Sequence, residues 1–407
     1  MIPTIKISDY FYPLADERIA KYPLEQRDSS KLLIYNNGNI EESVFRNLPQ
    51  FIGNDSLMIF NDTKVVPARL FFQRETGAHI EIFCLEPSDP SDYNLSFAST
   101  ESCRWKCVIG NSKKWKGDIL RFCGDKAAMG EIDLRARLIE LDGKVGIVEF
   151  FWKGGESFSY VLEQCGKVPI PPYLNRETEQ IDIERYQTLY AEIRGSVAAP
   201  TAGLHFTERV LDEIKNKGVG MQKICLHVGA GTFLPVKTDE VSGHEMHREI
   251  FSVKKSVLEA ILEVNKNVNN KNKKVVAVGT TSVRTLESLY YLGVSILESG
   301  EPKTVEQWAP YTRDYSYSTT ESLAAILDWM NKNKKEEITV GTRIIIVPGF
   351  RFRVVDRMVT NFHQPGSTLI LLIAAFVGEN WREIYDYALA HDFRFLSYGD
   401  SSFLIRK

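Results

Sequence analysis

The chain has 407 residues, which is enough for two or more domains that each bury a core of their own. With 43% hydrophobic and 25% charged residues, its composition is that of an ordinary globular protein. The formal net charge of −3 argues against a protein that holds nucleic acid by neutralising phosphates over its whole surface, but it is compatible with a local basic face.

Two segments bear on location. Residues 1–14 lack the basic start and the unbroken apolar stretch of a signal peptide. The longest apolar run, at 369–378, is too short to cross a bilayer and predicts a buried helix. We therefore predict a cytoplasmic protein with no membrane role, in which the six cysteines are reduced.

Short strand-like runs dominate residues 68–156. RLFFQR, HIEIFCLE, SCRWKCVIG and three later runs are rich in β-branched and aromatic residues, and Thr-Gly and Asp-Gly pairs supply hairpin turns. This pattern predicts a small antiparallel β-barrel. Because a strand-like segment, SLMIFND, precedes it, we predict that residues 68–156 are a barrel domain inserted into an α/β catalytic domain of residues 1–67 and 157–407.

Two features of the barrel segment are open to more than one interpretation. Cys103, Trp105 and Cys107 would share one face of a strand, which favours core packing over zinc binding, since no second close pair completes a ligand set. The stretch NSKKWKGDILR surrounds Trp115 with basic residues, which suits an RNA backbone or an unstacked base. The alternative is a solvated hairpin whose Trp115 packs on the barrel.

From about residue 167, strand-like runs alternate with helical ones. QKICLHVG, KKVVAVGT, TRIIIVPG and FRFLSYGD have strand character, and segments such as SVLEAILEVN have helical periodicity. The alternation predicts an α/β domain with a large mixed or largely parallel sheet. Ligands of such sheets bind beyond the carboxyl ends of the strands, so polar residues at those ends are candidate site residues.

Two such ends lie in the middle of the chain. GSVAAPTAGLHFT brings Thr201 and His205 into bare backbone that suits close approach to a ligand, with a tight structural crossover as the alternative. ICLHVGAGTFLPV carries His227, Gly229 and Thr232, but it lacks the third glycine of a dinucleotide-binding fingerprint. Both stretches are candidate substrate contacts.

A third strand end, in AVGTTSVRTLESL, opens a helix. Thr280, Thr281 and Arg284 lie where a phosphate or carboxylate would bind, and Glu287 follows on the same helix. Helix capping is the alternative role of Thr281. We favour a binding site here.

Further polar groups lie near the C-terminus. VTNFHQPGSTL sets Asn361 and His363 between an apolar run and a helix start, with a core histidine as the alternative for His363. LSYGD sets Tyr398 and Asp400 around a glycine turn. The two histidines of GHEMHREIF favour substrate contact or a structural role over metal binding. Together the strand ends predict one convergent pocket.

Long stretches of the chain, including YPLEQRDSSKLLI, FNDTKVVPARL, GSVAAPTAGLHFT, AVGTTSVRTLESL and TNFHQPGSTL, closely resemble the S-adenosylmethionine:tRNA ribosyltransferase-isomerases of queuosine biosynthesis. The resemblance implies an α/β domain with an inserted barrel. It also implies transfer of the ribosyl moiety of S-adenosylmethionine, with isomerisation, onto 7-aminomethyl-7-deazaguanine in a tRNA anticodon. Epoxyqueuosine forms, and adenine and methionine leave. S-adenosylmethionine is then a consumed substrate, and neither a cofactor nor a metal is expected.

The chemistry implied by the resemblance needs a base beside the sulfonium, a proton donor for adenine and polar partners for the ribose. The catalytic candidates, with no role assigned among them, are His205, His227, His363, Asp62 and Asp400. Arg284 would meet the methionine carboxylate and Arg69 a phosphate, and the other polar strand-end residues would bind substrate.

The sequence also departs from the family pattern. Gln364 replaces the usual leucine, and residues 292–340 are longer than in most members, with aromatic residues that would stack on bases or cover the sheet. These departures leave two alternatives: a paralogous enzyme that applies the ribosyl chemistry to another acceptor, and, less favoured, a non-catalytic tRNA-binding protein.

Overall fold

A computed structural model describes residues 2–124, 132–229, 236, 238–265 and 273–406. Its strands are β1 (Lys31–Asn36), β2 (Asn39–Val44), β3 (Ser56–Asn61), β4 (Thr63–Val65), β5 (Arg69–Gln73), β6 (His79–Asp89), β7 (Ser102–Gly110), β8 (Leu120–Phe122), β9 (Arg135–Asp142), β10 (Val145–Phe151), β11 (Ile193–Ser196), β12 (Gly220–Leu226), β13 (Glu249–Lys254), β14 (Lys274–Val278), β15 (Glu337–Thr342), β16 (Arg357–Asn361) and β17 (Ser401–Ile405). Its helices are α1 (Leu48–Phe51), α2 (Tyr93–Ala98), α3 (Phe158–Cys165), α4 (Gln180–Arg185), α5 (Glu208–Asn216), α6 (Lys255–Asn265), α7 (Thr280–Ser299), α8 (Ala309–Thr312), α9 (Thr319–Lys332), α10 (Thr368–Val377) and α11 (Trp381–Ala390).

The larger domain is built on a mixed sheet. Among the described residues it has nine strands, in the order β15-β13-β12-β3-β14-β16-β17-β1-β2. The central strands β12, β3, β14 and β16 are parallel, whereas β13 and β17 run antiparallel to their neighbours β12 and β16. Together with the closed barrel described next, this confirms the predicted fold class.

The barrel has the six described strands β10-β7-β6-β5-β8-β9 in a closed antiparallel ring. All six lie within residues 68–156, and the strands of the large sheet lie outside that range, although the domain boundaries themselves remain a prediction. Cys103, Trp105 and Cys107 point into the barrel core, which confirms the core-packing interpretation. All six cysteines of the chain lie in the described part and are free thiols.

Trp115 does not present a stacking surface. Its side chain is buried in the barrel core, and its indole N–H donates to the Asp118 carbonyl at 2.8 Å. The interpretation of Trp115 as a partner for unstacked bases is therefore wrong, whereas Lys113, Lys114 and Lys116 are exposed.

The two faces of the large sheet pack against different cores, because successive side chains of each strand point to opposite faces. In β3, Leu57 and Ile59 join the core under α6, α7 and α9, whereas Met58 and Phe60 join the core under α1 and α5. The apolar run at 369–378 forms the buried helix α10, as predicted. Within the described residues, no helix is both long enough and apolar enough to span a bilayer.

Two segments that were predicted to be strands are loops, and the aromatic residues of the long region 292–340 pack on the core. In TRIIIVPG the strand β15 ends at Thr342, and residues 343–347 are loop, of which 344–347 are buried. FRFLSYGD is also loop, and β17 begins directly after it. In both, apolar character reflects burial rather than strand pairing. The aromatic residues Trp308, Tyr311 and Tyr315 pack on the main core, so they cover the sheet.

Strand direction brings the polar strand ends to one edge of the sheet, which we call the site edge. The carboxyl ends of the parallel strands β3, β12, β14 and β16 all lie there. Because β13 and β17 run the opposite way, their first residues lie at the same edge. The chain order thus gathers groups from six strands at this edge.

Candidate active site

Three adjoining cavities lie along the site edge. The central cavity, of about 80 Å³, lies between the start of α7 and the end of β16. The barrel-side cavity, of about 430 Å³, lies between the sheet and the barrel and falls in the size range of ligand sites, roughly 300–1,000 Å³. The arginine cavity is lined by Arg27, Arg185 and Arg394. Arg284 lines both the central and the barrel-side cavities, and Ser397 lines both the central and the arginine cavities, so the predicted single pocket is divided into three neighbouring cavities.

Most of the predicted site residues line these cavities. The central cavity contains Thr201, Thr280, Thr281, Arg284, Asn361 and His363. The barrel-side cavity contains His227 and Gly229 together with Arg284. The arginine cavity contains His205 and Tyr398. Thr232 lies outside the described residues.

Two predicted site residues have structural positions instead. The carboxylate of Glu287 is fully buried and accepts hydrogen bonds from the backbone N–H groups of Arg353, Val354 and Val355 at 2.8, 3.0 and 2.9 Å. Burial raises the pKa of Glu287 to about 7, although those N–H groups favour its charged form. Its side chain therefore anchors a loop rather than a substrate.

Asp400 is likewise engaged with backbone. Its two carboxylate oxygens accept hydrogen bonds from the N–H groups of Lys31, at 2.9 Å, and Arg394, at 2.7 Å. These contacts tie the start of β1 to the start of β17. Tyr398 donates from its hydroxyl to Asp182 at 2.7 Å, so its polar end also has a protein partner.

Asp62 and Arg69 lie outside the three cavities. Burial raises the pKa of Asp62 to about 6, and its Oδ1 has no partner among the described residues. Arg69, on barrel strand β5, forms an ion pair with Glu81 and lies 3.9 Å from Glu177. Nothing in these surroundings favours the expected phosphate contact of Arg69.

Arg284 is the central charged group of the site. Its guanidinium forms a buried ion pair with Glu249 and donates through Nε to the Ile344 carbonyl at 3.3 Å. The other Glu249 oxygen lies 3.4 Å from the Gly229 N–H. The second terminal nitrogen, Nη2 of Arg284, is buried and has no partner in the described part of the chain.

Two further polar atoms of the central cavity share this property. Thr281 Oγ1 and Asn361 Oδ1 are buried and find no partner among the described residues. A buried polar atom left without a hydrogen bond costs about 1–3 kcal/mol, so such atoms are expected to bind an ordered water or a ligand in the working state. Thr281 lies in the first turn of α7, which Gly279 enters with a φ of +88°.

His227 lies where the two domains meet. Its ring stacks on Tyr93 from the barrel domain, with centroids 4.3 Å apart and an interplanar angle of 18°. Burial lowers the pKa of His227 to about 4, so the imidazole is neutral at pH 7. The polar neighbour of its ring nitrogens in the described structure is Cys225 Sγ, at 4.0 and 3.9 Å.

His205 and His363 are more fully engaged. His205 lies 2.8 Å from Ser30 Oγ through Nδ1 and 3.2 Å from Asn361 Nδ2 through Nε2. His363 Nε2 lies 2.9 Å from Thr360 Oγ1, and its backbone N–H donates to the Tyr385 hydroxyl at 3.1 Å. Burial lowers the pKa of both histidines to about 3.

The cysteines and the histidines of GHEMHREIF are of residue types that could ligate a metal. Over the described residues, no group of three or more His, Cys, Asp or Glu side chains is arranged to hold a metal ion. His244 and His247 both line the barrel-side cavity, which fits their predicted substrate or structural role.

The sequence analysis missed Glu249, Tyr93 and Ser30. Glu249 is the first residue of β13, and Ser30 directly precedes β1. The sequence prediction considered only residues at the carboxyl ends of strands. An antiparallel neighbour brings a first residue to the same edge, and that pairing is not visible in periodicity. Tyr93 comes from the other domain, so only the tertiary structure could show its contact.

The fold and the cavities define an α/β protein whose candidate ligand-binding cavities lie beyond the carboxyl ends of its central parallel strands. The sequence model of the family described as "Queuosine biosynthesis protein" matches residues 7–404. The chain belongs to this family, which confirms the resemblance carried by its motifs.

Relatives align over nearly the full length. The chain is 36% identical over 403 residues to the S-adenosylmethionine:tRNA ribosyltransferase-isomerase of Trichlorobacter lovleyi, covering 98% of this chain and 99% of the relative. It is 38% identical over 403 residues to the protein of the same name from Citrifermentans bemidjiense, with the same coverage of 98% and 99%. A crystal structure of S-adenosylmethionine tRNA ribosyltransferase from Thermotoga maritima is 26% identical, with a TM-score of 0.47 over 98% of this chain and 100% of that chain.

Proposed function

We propose that this protein has the activity for which its relatives are named, S-adenosylmethionine:tRNA ribosyltransferase-isomerase. It transfers and isomerises the ribosyl moiety of S-adenosylmethionine onto 7-aminomethyl-7-deazaguanine at the anticodon of a tRNA. The products are epoxyqueuosine in tRNA, adenine and methionine. S-adenosylmethionine is consumed as a substrate, and the reaction needs no cofactor and no metal.

The observation that carries this proposal is the set of unpartnered buried atoms around the central cavity, Thr281 Oγ1, Arg284 Nη2 and Asn361 Oδ1. A hydroxyl, a guanidinium and an amide oxygen together complement a ligand that has a carboxylate and neutral hydrogen-bond donors. S-adenosylmethionine has both, in its methionine and nucleoside parts.

Arg284 binds the methionine carboxylate through Nη2, the nitrogen that Glu249 leaves free. Arginine presents its N–H groups in a fixed fork, so the ion pair with Glu249 holds the remaining nitrogen in place. Glu249 itself lines the barrel-side cavity, where its carboxylate favours the cationic sulfonium or ammonium of the same substrate.

His227 is our candidate for the base that removes the proton beside the sulfonium. It is neutral at pH 7, it lines the barrel-side cavity, and its ring nitrogens have no nitrogen or oxygen partner among the described residues. The nitrogens of His205 and His363 are within hydrogen-bond distance of side chains of the protein. A general base must come within hydrogen-bond reach of the proton that it removes, and a ring nitrogen already engaged by the protein is less available for that contact.

The modified base of the tRNA enters the barrel-side cavity. That cavity has walls from both domains, including Tyr93 and Lys106 of the barrel, and its volume of about 430 Å³ can hold an unstacked base. The base would then lie next to His227 and Arg284, where the ribosyl group is released. This arrangement places the acceptor between the domains and S-adenosylmethionine at the strand ends.

The test is incubation with S-adenosylmethionine and a tRNA that carries 7-aminomethyl-7-deazaguanine, followed by nucleoside mass analysis. We expect epoxyqueuosine in the tRNA and one equivalent each of adenine and methionine. Adenine release with a different acceptor would favour the paralogous enzyme. Binding of tRNA without adenine release would contradict the enzymatic proposal.

A further inference from the structure

We infer that Asn361 binds the substrate directly, its Oδ1 accepting a hydrogen bond from a neutral hydroxyl or amino group of the substrate nucleoside, and that His205 is a positioning residue that fixes this amide. The inference rests on the proposed function, because the donor is assigned to S-adenosylmethionine. It gives the buried histidine a role different from the catalytic one expected from the sequence.

The orientation of the Asn361 amide follows from its neighbours. Its Nδ2 lies 3.0 Å from the Leu396 carbonyl oxygen, which can only accept a hydrogen bond. The nitrogen must therefore be on that side, and the oxygen on the other. The same Nδ2 lies 3.2 Å from His205 Nε2, so the second amide proton is directed to the imidazole.

His205 must then act as an acceptor at Nε2. A neutral imidazole has one N–H, so its proton is on Nδ1 and is donated to Ser30 Oγ at 2.8 Å. Arg394 and Arg27 face the ring from the side of the arginine cavity, and Phe45 packs on it with centroids 5.1 Å apart. Burial and these two cations disfavour an imidazolium, which keeps Nε2 available as an acceptor.

Asn361 Oδ1 is left with no partner in the described part of the protein. The residue is 2% exposed and lines the central cavity. Arg284 in that cavity, with Arg27 and Arg394 beyond His205, disfavours a cationic donor such as the methionine ammonium. The fitting donors are the ribose hydroxyls and the exocyclic amino group of adenine.

Asn61 shows what a purely structural asparagine looks like at the same edge. It ends β3 as Asn361 ends β16, and both side chains are buried. Both oxygen and nitrogen of Asn61 are used, because Oδ1 accepts from the N–H groups of Thr63 and Leu226 and Nδ2 donates to the Leu226 carbonyl. Asn361 differs because its Oδ1 accepts no hydrogen bond from the described residues.

The binding test uses the full-length protein without tRNA, and compares S-adenosylmethionine with analogues that lack the 2′-hydroxyl, the 3′-hydroxyl or the adenine amino group. For the wild type, we expect about tenfold weaker binding of the one analogue that lacks the relevant donor. Asn361→Ala should bind that analogue and S-adenosylmethionine equally. Discrimination that is the same in wild type and Asn361→Ala would overturn the inference.

Two controls separate this result from other failures. Asn61→Ser removes an amide from the neighbouring strand, and it should lower the melting temperature while keeping wild-type discrimination between the analogues. A wild type that binds no S-adenosylmethionine would contradict the proposed function itself. If Asn361→Ala does not fold, Asn361→Ser takes its place in the same comparison.

The positioning role of His205 has its own test. His205→Phe should raise KM for S-adenosylmethionine about tenfold, change kcat by less than about threefold and leave the pH profile of kcat unchanged. Loss of a general base would instead lower kcat about 10²–10⁴-fold, and this result would overturn the positioning role. Nitrogen NMR of the wild type provides a check without mutation, because a proton on Nε2 rather than Nδ1 near pH 7 would contradict the assigned polarity.

Discussion

Arg284 is the residue at which a buried ion pair and the proposed substrate contact meet. Replacing it by lysine keeps a cation next to Glu249 but removes the free Nη2. Because a hydrogen bond to a charged group contributes about 1.5–3 kcal/mol, we expect KM for S-adenosylmethionine to rise at least tenfold with a smaller change in kcat. Arg137→Lys, at an exposed ion pair on the barrel, is the matched control. An unchanged KM in Arg284→Lys would remove Arg284 from the binding site.

Glu287 tests the distinction between anchoring a loop and binding a substrate. Glu287→Gln replaces an oxygen that accepts backbone N–H groups by an amide donor, so we expect a loss of about 1–3 kcal/mol in the free energy of unfolding. Denaturant titration measures this loss, and KM for S-adenosylmethionine should not change. Glu298→Gln, exposed on the same helix, should change neither quantity. A raised KM at wild-type stability would restore the substrate-binding hypothesis.

At the scale of elements, strand β11 packs against the imidazole of His227, the residue that follows β12. Gly195 in β11 has a φ of +150°, and a Cβ atom there would overlap the imidazole of His227. Gly195→Ala should therefore push the ring off Tyr93 and lower kcat at least tenfold, as expected when a proposed base is misplaced. Gly154→Ala is the control, since Gly154 also has a positive φ but nothing near its Cβ position. Wild-type kcat in Gly195→Ala would contradict the role of His227.

The turn between β7 and β8 provides a test of tRNA binding. With Trp115 buried, the basic side chains of this turn that remain to meet a phosphate backbone are the exposed Lys113, Lys114 and Lys116. Replacing the three lysines by alanine should weaken tRNA binding and reduce its salt dependence by about one unit of slope per lost contact. Binding of S-adenosylmethionine should stay unchanged. Wild-type tRNA affinity at moderate salt, in a folded variant, would move the tRNA contact to another face.

Candidate site residues at strand ends were predictable where a single strand and the turn after it contain all the sequence features that mark the site. Thr280, Arg284 and Asn361 were found because an apolar run ends and a helix begins beside them. Glu249 was missed because an antiparallel strand brings its first residue to the site edge. Glu287 lies away from the cavities because a position three residues after Arg284 on a helix lies about 4.5 Å further along the axis, where the 353–355 loop covers it.

At the scale of the whole molecule, buried ionisable groups have opposite effects on the stability of the fold as the pH falls. His205, His227 and His363 have pKa values of about 3, 4 and 3, below the usual 6.5, because burial disfavours their charged forms. In the unfolded chain each histidine binds a proton near pH 6.5, so each one lowers the stability of the fold as the pH falls below that value.

Glu287 and Asp62 act in the opposite direction. Burial raises their pKa values to about 7 and about 6, so the folded protein binds their protons before the unfolded chain does, and the fold gains stability as the pH falls towards about 4.5. Between about pH 6 and 4.5, the three histidines and two carboxyl groups leave a net difference of about one proton. One proton corresponds to a loss of about 1.4 kcal/mol per pH unit.

His205→Phe removes one of the three histidine contributions. We expect its free energy of unfolding to fall less steeply than that of the wild type between pH 6 and 4.5, by about 1.4 kcal/mol per pH unit. Urea titrations at four pH values across this window measure both slopes. His79→Asn, at an exposed position of the barrel, is the matched histidine replacement for comparison. Parallel slopes for the wild type and His205→Phe would mean that His205 takes up a proton equally in both states, and hence that its imidazole is not held neutral by the fold.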